Sequence, residues 1–343
     1  MELLTRIKKA GRVLLKGDPR KSARGPIPAI TPEEVAEVRQ FFPREKFFIL
    51  GHARSGTTLL MRLIRLHPDV HCNYQAHFFT RRPLLKSLVD TPEAEEWLTR
   101  KSNRWNHGRD LSPLVLRAAA DIIMERDAAR AGARIVGDKS PSSVIHGQAV
   151  RDLHAVYPDA RIVYIVRDGR DVITSERFRN FVEESRFLTA EDKRIIAELR
   201  RAPAPFEDGR RSIFTETFIR RVGGDWADDL RETENESRRL FKDNFYGLRY
   251  EDLLEHPFSE MKKLWAFLGV DADPALENAI NDEMVSNPDE KWQAKRNEDI
   301  ASFLPKGQAG NWVRLFSDAD RSVFKAVAGE MLVRWNYEKD LNW

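Results

Sequence analysis

The chain reads as an α/β protein, a P-loop-like parallel sheet flanked by helices on both faces. Three observations predict it. The runs "KFFIL", "ARIVGDK" and "DARIVYIVRD" are apolar and nearly uninterrupted, as strands covered on both faces require. Helical stretches at 111–131 and 143–157 separate them. The first strand also runs straight into "GHARSGTT", a glycine loop that opens the apolar helix "TTLLMRLIRLH".

Taken in order, residues 1–40 stand apart as a basic N-terminal helix and linker, and residues 41–343 read as a single domain. "MELLTRIKKAGRVLLKG" sets Leu3, Leu4, Ile7, Val13 and Leu14 on one face among lysines and arginines, without the long apolar core of a signal peptide. Such a helix packs on its own domain or on a partner, or rests on an anionic membrane surface through residues 1–16. "GDPRKSARGPIP" is a loop, and "TPEEVAEVRQFF" opens a short helix with Thr31 as cap and Pro32 in the first turn. A long charged helix near 212–241 precedes a fourth strand, "NFYGLRYEDL".

Composition narrows the class. Of 343 residues, 41% are hydrophobic and 32% charged, so the chain can bury a substantial core. A net charge of +3 gives no electrostatic footprint for nucleic acid. Cys72 is the single cysteine, which rules out an intrachain disulfide and fits a reducing, cytoplasmic setting with Cys72 as a core filler. No apolar run reaches the ~20 residues that span a bilayer.

The glycine loop poses the functional question. Gly51, Gly56 and Thr58 fit G-x-x-x-x-G-K-[ST], but Thr57 stands where the lysine belongs. Backbone N–H groups at the start of the next helix make an anion site unaided, Thr57 and Thr58 add hydroxyls, and Arg54 can reach in from the loop. What is lacking is the side chain that reaches along a triphosphate. A loop that binds a phosphate with no γ-phosphate to hold has this form. In open parallel sheets the ligand lies beyond the strands' carboxyl ends, which draws attention to "GDKSP", "VRDGRDVITS" and "RYEDL" as well.

"RSGTTLL" resembles the 5′-phosphosulfate loop of the sulfotransferases that use 3′-phosphoadenylyl sulfate, in which [KR]-S-G-T-T replaces the lysine-bearing loop. The resemblance extends through "VRDGRDVITS", "LRYEDLLEHPFSEMKKLWAFLGV" and "LPKGQAGNW", in family order over residues 47–312. It implies that Arg54, Ser55, Gly56, Thr57 and Thr58 hold the donor's phosphosulfate and that Arg167 and Ser175 hold its 3′-phosphate. Tyr250 would lie near the adenine, while Lys306 and Gly307 close over the 3′-phosphate. The wording of the first loop is closest to the tyrosylprotein and bacterial branches. The former carry Cys-Gly-Glu-Glu after the first helix, whereas this chain reads "CNYQAHFF", so the catalytic carboxylate of that branch has no direct counterpart.

Sulfuryl transfer needs an in-line acceptor, a base and positive charge at the leaving phosphate, with no obligatory metal. Lys139, just after a strand, and Arg54 are assigned to charge stabilisation. His77 is the candidate base, with Asp138 and His146 as alternatives and His52 packing within the loop. Residues 107–132 and 177–239 would shape the acceptor pocket as helical insertions. The acceptor is a small molecule, glycan, lipid or peptide carrying a hydroxyl or amine, and the sequence does not choose among them. Tyr74, Phe78, Phe79, Trp97 and Trp105 either line its site or belong to the core. Two other readings stay open: a metal-dependent P-loop kinase or NTPase with Asp138 on magnesium, and a non-catalytic nucleotide-binding protein. Nothing fixes the oligomeric state.

Overall fold

A computed structural model of the chain describes residues 27–100, 102, 104–142, 146–183, 188–286 and 308–343. The segment 1–16 and the pair Lys306 and Gly307 lie outside the described residues. Five parallel strands form the centre: β1 (Glu45–Leu50), β2 (Val70–Tyr74), β3 (Ile135–Lys139), β4 (Arg161–Val166) and β5 (Phe245–Arg249). Their order is β2-β3-β1-β4-β5. The chain therefore fills one side of β1 first and then crosses to the other. The carboxyl end of β1 is the point where that direction reverses, and the glycine loop leaves from it.

The helices are α1 (Pro32–Phe41), α2 (Thr57–Ile64), α3 (Pro92–Thr99), α4 (Ser112–Arg130), α5 (His146–Val156) and α6 (Gly169–Glu183). They continue with α7 (Ala190–Arg201), α8 (Glu216–Phe241), α9 (Tyr250–Glu255), α10 (Pro257–Leu268), α11 (Leu276–Val285) and α12 (Asp318–Arg334), besides short single turns. α1 begins as the sequence expects: Thr31 Oγ1 accepts the Glu34 N–H and Glu34 reaches back to the Thr31 N–H.

Alternation along the strands sends successive side chains to two separate cores. Phe47 and Ile49 pack with Leu60, Leu63 and Ile64 of α2 and with Leu264, Trp265 and Leu268 of α10. Phe48 and Leu50 face the other layer, built from α4, α5, α8 and α12 with Trp226 and Phe324 fully buried. Truncating any of these leucines to alanine would cost about 2–5 kcal/mol.

β2 was not expected. "VHCNY" alternates buried and half-buried positions, and it lies at the sheet edge, where one face meets solvent. A search for continuous apolar runs passes over such a strand. Its register, Asn73 opposite Asp138 and Tyr74 opposite Lys139, places the segment after Tyr74 beside the end of β3. Cys72 is buried there with a free thiol, as a core filler would be.

Candidate active site

At the end of β1 the backbone turns sharply. Arg54 (φ 72°) and Gly56 (φ 85°) are both left-handed, and Gly56 caps α2. The glycine is also required by contact, because a Cβ there would lie 2.2 Å from the Tyr250 ring. The strain at Arg54 has a use. Its Nε donates to Ser175 Oγ at 3.0 Å, and its carbonyl accepts from Arg167 Nη1 at 3.1 Å.

Arg167 follows β4 directly, and Ser175 stands about two turns along α6. Arg167 is buried, with its guanidinium 4.9 Å from the Tyr250 ring centroid, and its Nη2 donates to Gln308 O at 2.9 Å. Asp171 in the first turn of α6 accepts the N–H groups of Gly310 (2.6 Å) and Trp312 (3.1 Å), and burial raises its pKa. The chain following Gly307 is thereby tied to the turn that carries Arg167.

From the other side comes Lys139. Its Nζ lies 3.2 Å from Thr58 Oγ1 and 4.0 Å from the Tyr74 ring centroid. No carboxylate of the described residues pairs with it, and burial depresses its pKa from 10.5 to about 8. Ser55 Oγ in the glycine loop and Arg167 Nε are buried without hydrogen-bond partners among the described residues. A buried ammonium with no carboxylate partner among the described residues, together with these buried donors around a helix N-terminus, suits an anionic ligand with several phosphate-like oxygens.

A family profile described as "Sulfotransferase family" matches residues 46–274, from the start of β1 to beyond α10. The chain belongs to the sulfotransferase family. It is 24% identical to a protein-tyrosine sulfotransferase of Drosophila melanogaster over 70% of its own length, and it covers 41% of that relative. A Caenorhabditis elegans protein-tyrosine sulfotransferase A is 22% identical over 66% of the chain, with 50% of the relative covered. The chain thus spans about half the length of these curated relatives or less. With a flavonol sulfotransferase-like protein of Flaveria bidentis the identity is 27%, over 73% of this chain and 71% of that one. Among solved structures, the sulfotransferase domain from the curacin biosynthetic pathway superposes with a TM-score of 0.48 and 17% identity. That match covers 84% of this chain and 97% of the other.

Beside this family loop opens a cleft of about 1420 Å³. His52, Arg54, Thr57, Thr58, Tyr74 and His77 line one part of it, and Arg177, Phe218, Arg221 and Asp225 another. His77 is half-buried and left-handed (φ 53°), with Nδ1 2.8 Å from Thr80 Oγ1. Burial lowers its pKa, helped by the nearby charges of Arg81 and Lys139, which favours the neutral imidazole. The other base candidates stand differently. Asp138 is buried, accepts the Ala76 N–H at 2.9 Å and accepts the Ser140 hydroxyl, so both its oxygens are engaged. His146 opens α5 and borders a separate, water-sized cavity.

His52 does more than pack within its loop. Its Nδ1 lies 3.1 Å from Asp229 Oδ2, and Asp229 in turn accepts from Thr233 Oγ1 at 3.1 Å, so the donor loop is tethered to α8. Sequence spacing gave no sign of this pairing across 177 positions, nor of the Asp171 anchor. The aromatic cluster divides. Phe78 and Phe79 are core, Phe79 meeting Phe48 and Tyr157 edge-on. Trp97 and Trp105 lie tilted against each other, ring centroids 5.1 Å apart, in exposed positions, and only Tyr74 of the five lines the cleft.

Proposed function

We propose that the chain transfers a sulfuryl group from 3′-phosphoadenylyl sulfate to a hydroxyl or amine of an acceptor, releasing adenosine 3′,5′-bisphosphate. The observation that carries this reading is Lys139, a buried ammonium without a carboxylate partner among the described residues, held on Thr58 at the head of α2. A phosphate loop without its own lysine here receives a cation from β3.

In this reading the N–H groups from Ser55 to Thr58 and the two threonine hydroxyls hold the 5′-phosphosulfate. Arg54 and Lys139 meet the charge that grows on the bridging and equatorial oxygens as the S–O bond to the leaving phosphate breaks. Arg167 and Ser175 take the 3′-phosphate, and Tyr250 lies beside the adenine. Lys306 and Gly307 close over the 3′-phosphate from the segment whose continuation Asp171 anchors. The neutral His77 accepts the acceptor's proton. Asp138, the acid that a magnesium-dependent phosphoryl transfer would need, is engaged by Ala76 and Ser140 instead.

The acceptor is a small molecule, glycan, lipid or peptide bound in the cleft between the loop after β2 and α8. Residues 41–343 act as one catalytic domain on this reading, in a cytoplasmic setting, and the basic sequence of residues 1–16 suits contact with an anionic membrane surface. No helix among the described residues is long and apolar enough to cross a bilayer. The test is an acceptor screen with isotopically labelled donor in excess chelator, read by mass spectrometry. An acceptor gaining one labelled sulfuryl group supports the reading. Transfer of a phosphoryl group from ATP, lost on chelation, would overturn it.

A further inference from the structure

Asp138 and Lys139 at the end of β3 and Ser140 just after it hold the backbone of the loop that carries His77. Gln75 N–H donates to Lys139 O at 2.9 Å, Ala76 N–H to Asp138 Oδ1 at 2.9 Å, and His77 N–H to Ser140 Oγ at 2.9 Å. Ser140 in turn donates its hydroxyl to Asp138 Oδ2. Asp138, Lys139 and Ser140 are all buried, and the Ser140–Asp138 bond is made away from competing water, while the bonds to Ala76 and His77 are part-buried.

The held segment is strained. Gln75 (φ 57°) and His77 (φ 53°) are both left-handed, and neither is glycine. Two such residues within three positions cost on the order of 1–3 kcal/mol each and persist only where their surroundings over-determine them. Here those surroundings are the three bonds from β3. The shape they impose brings His77 back over Thr80 and onto the cleft wall.

We propose that Asp138 and Ser140 are positioning residues: Asp138 orients the Ser140 hydroxyl, and Ser140 fixes His77 on the cleft wall in register with Lys139. The inference rests on the sulfotransferase reading and on His77 as base. It adds that one tripeptide coordinates both sides of the reaction, Lys139 toward the donor and Ser140 toward the acceptor. A base displaced by about 1 Å can lose up to a hundredfold in rate without any change in donor binding.

A double-mutant cycle tests this, with 2-naphthol as probe acceptor and adenosine 3′,5′-bisphosphate release as readout. Ser140→Ala should lower kcat roughly 10–30-fold, with donor KM and bisphosphate affinity held within about twofold. Ser140→Thr, which keeps the hydroxyl, should restore most of the rate. His77→Ala with Ser140→Ala should be no slower than His77→Ala alone, because both act through one imidazole. Losses that multiply, failure of the threonine rescue, or equal loss of bisphosphate affinity would each overturn the proposal. If the unaltered chain turns over neither 2-naphthol nor water, the activity reading is what fails for those acceptors. The positioning role is then read from amide hydrogen exchange of the full chain with bisphosphate bound. Exchange at His77 should accelerate at least about tenfold in Ser140→Ala and in Asp138→Asn, and unchanged protection would overturn the role.

Discussion

Lys139 and Thr58 meet at the head of α2, ammonium nitrogen to hydroxyl oxygen at 3.2 Å. They come from different units of the fold, Lys139 from the end of β3 and Thr58 from the first turn of α2. The cation that a phosphate loop ordinarily carries on its own helix arrives here from the neighbouring strand. That arrangement places charge at the start of the loop's helix, while the loop itself carries Thr57 where a lysine would extend along a triphosphate.

Replacing Lys139 by methionine should separate stability from activity. With the folded pKa near 8 and the ordinary value 10.5, the unfolded chain binds the proton more tightly. Stability therefore rises with pH between those values and carries the full cost of the buried charge below about 8. Lys139→Met should be as stable as the unaltered chain or more so, by roughly 1–3 kcal/mol at neutral pH. Its turnover should fall by at least about a hundredfold. Denaturant titration and single-turnover kinetics measure the two sides.

The rate should be bell-shaped in pH. Lys139 acts as the cation, so activity declines as pH rises through about 8. His77 acts as the neutral base, so activity declines on the acid side, below the ordinary imidazole value of 6.5. His77→Ala should lose the acid limb and keep the alkaline one. A profile unchanged in that variant would remove His77 from the mechanism.

Arg167→Ala should weaken adenosine 3′,5′-bisphosphate by about 2–3 kcal/mol, the scale of a buried charge-assisted contact. Adenosine 5′-phosphosulfate, which lacks the 3′-phosphate, should lose far less. Calorimetry on both ligands decides it, and equal losses would show that Arg167 acts only by bracing the carbonyls of Arg54 and Gln308.

Gly56→Ala should damage the loop from two directions. The residue would have to hold φ 85°, and its Cβ would enter the Tyr250 ring. A loss of about 1–3 kcal/mol in stability is expected from the backbone conformation. A tenfold or greater drop in bisphosphate affinity should accompany it as Tyr250 is displaced. Thermal unfolding with and without bisphosphate separates the two effects.

Much of this fold was legible because its central strands are buried on both faces and write themselves as apolar runs. β3 and β4 fall within the expected segments, β1 begins one residue before "KFFIL", and β5 lies in "NFYGLRYEDL". β2 was not legible, since an edge strand with one wet face shows only weak alternation. Arg54, Arg167, Ser175 and Tyr250 were found by motif, and the fold brings them to one turn. Contacts between distant segments were invisible: His52 to Asp229, Asp171 to Gly310, and the bonds from β3 to the loop after β2. None of these has a local pattern, because each depends on strand order and register. Asp138 shows the limit most clearly. As a lone acid ending a strand it could serve as base, metal ligand or brace, and only its two partners, Ala76 and Ser140, assign it to the last.

In the proposed function this loop, with a cation from β3 and Arg167 beside it, serves a 3′-phosphorylated adenosine donor rather than a metal-bound triphosphate. Titrating the full chain calorimetrically with adenosine 3′,5′-bisphosphate in excess chelator, and separately with ATP and magnesium, tests it most directly. Tight bisphosphate binding that chelator does not change is expected, with weak binding of ATP and magnesium. Tight binding of ATP that requires magnesium, with no measurable heat from the bisphosphate, would contradict it.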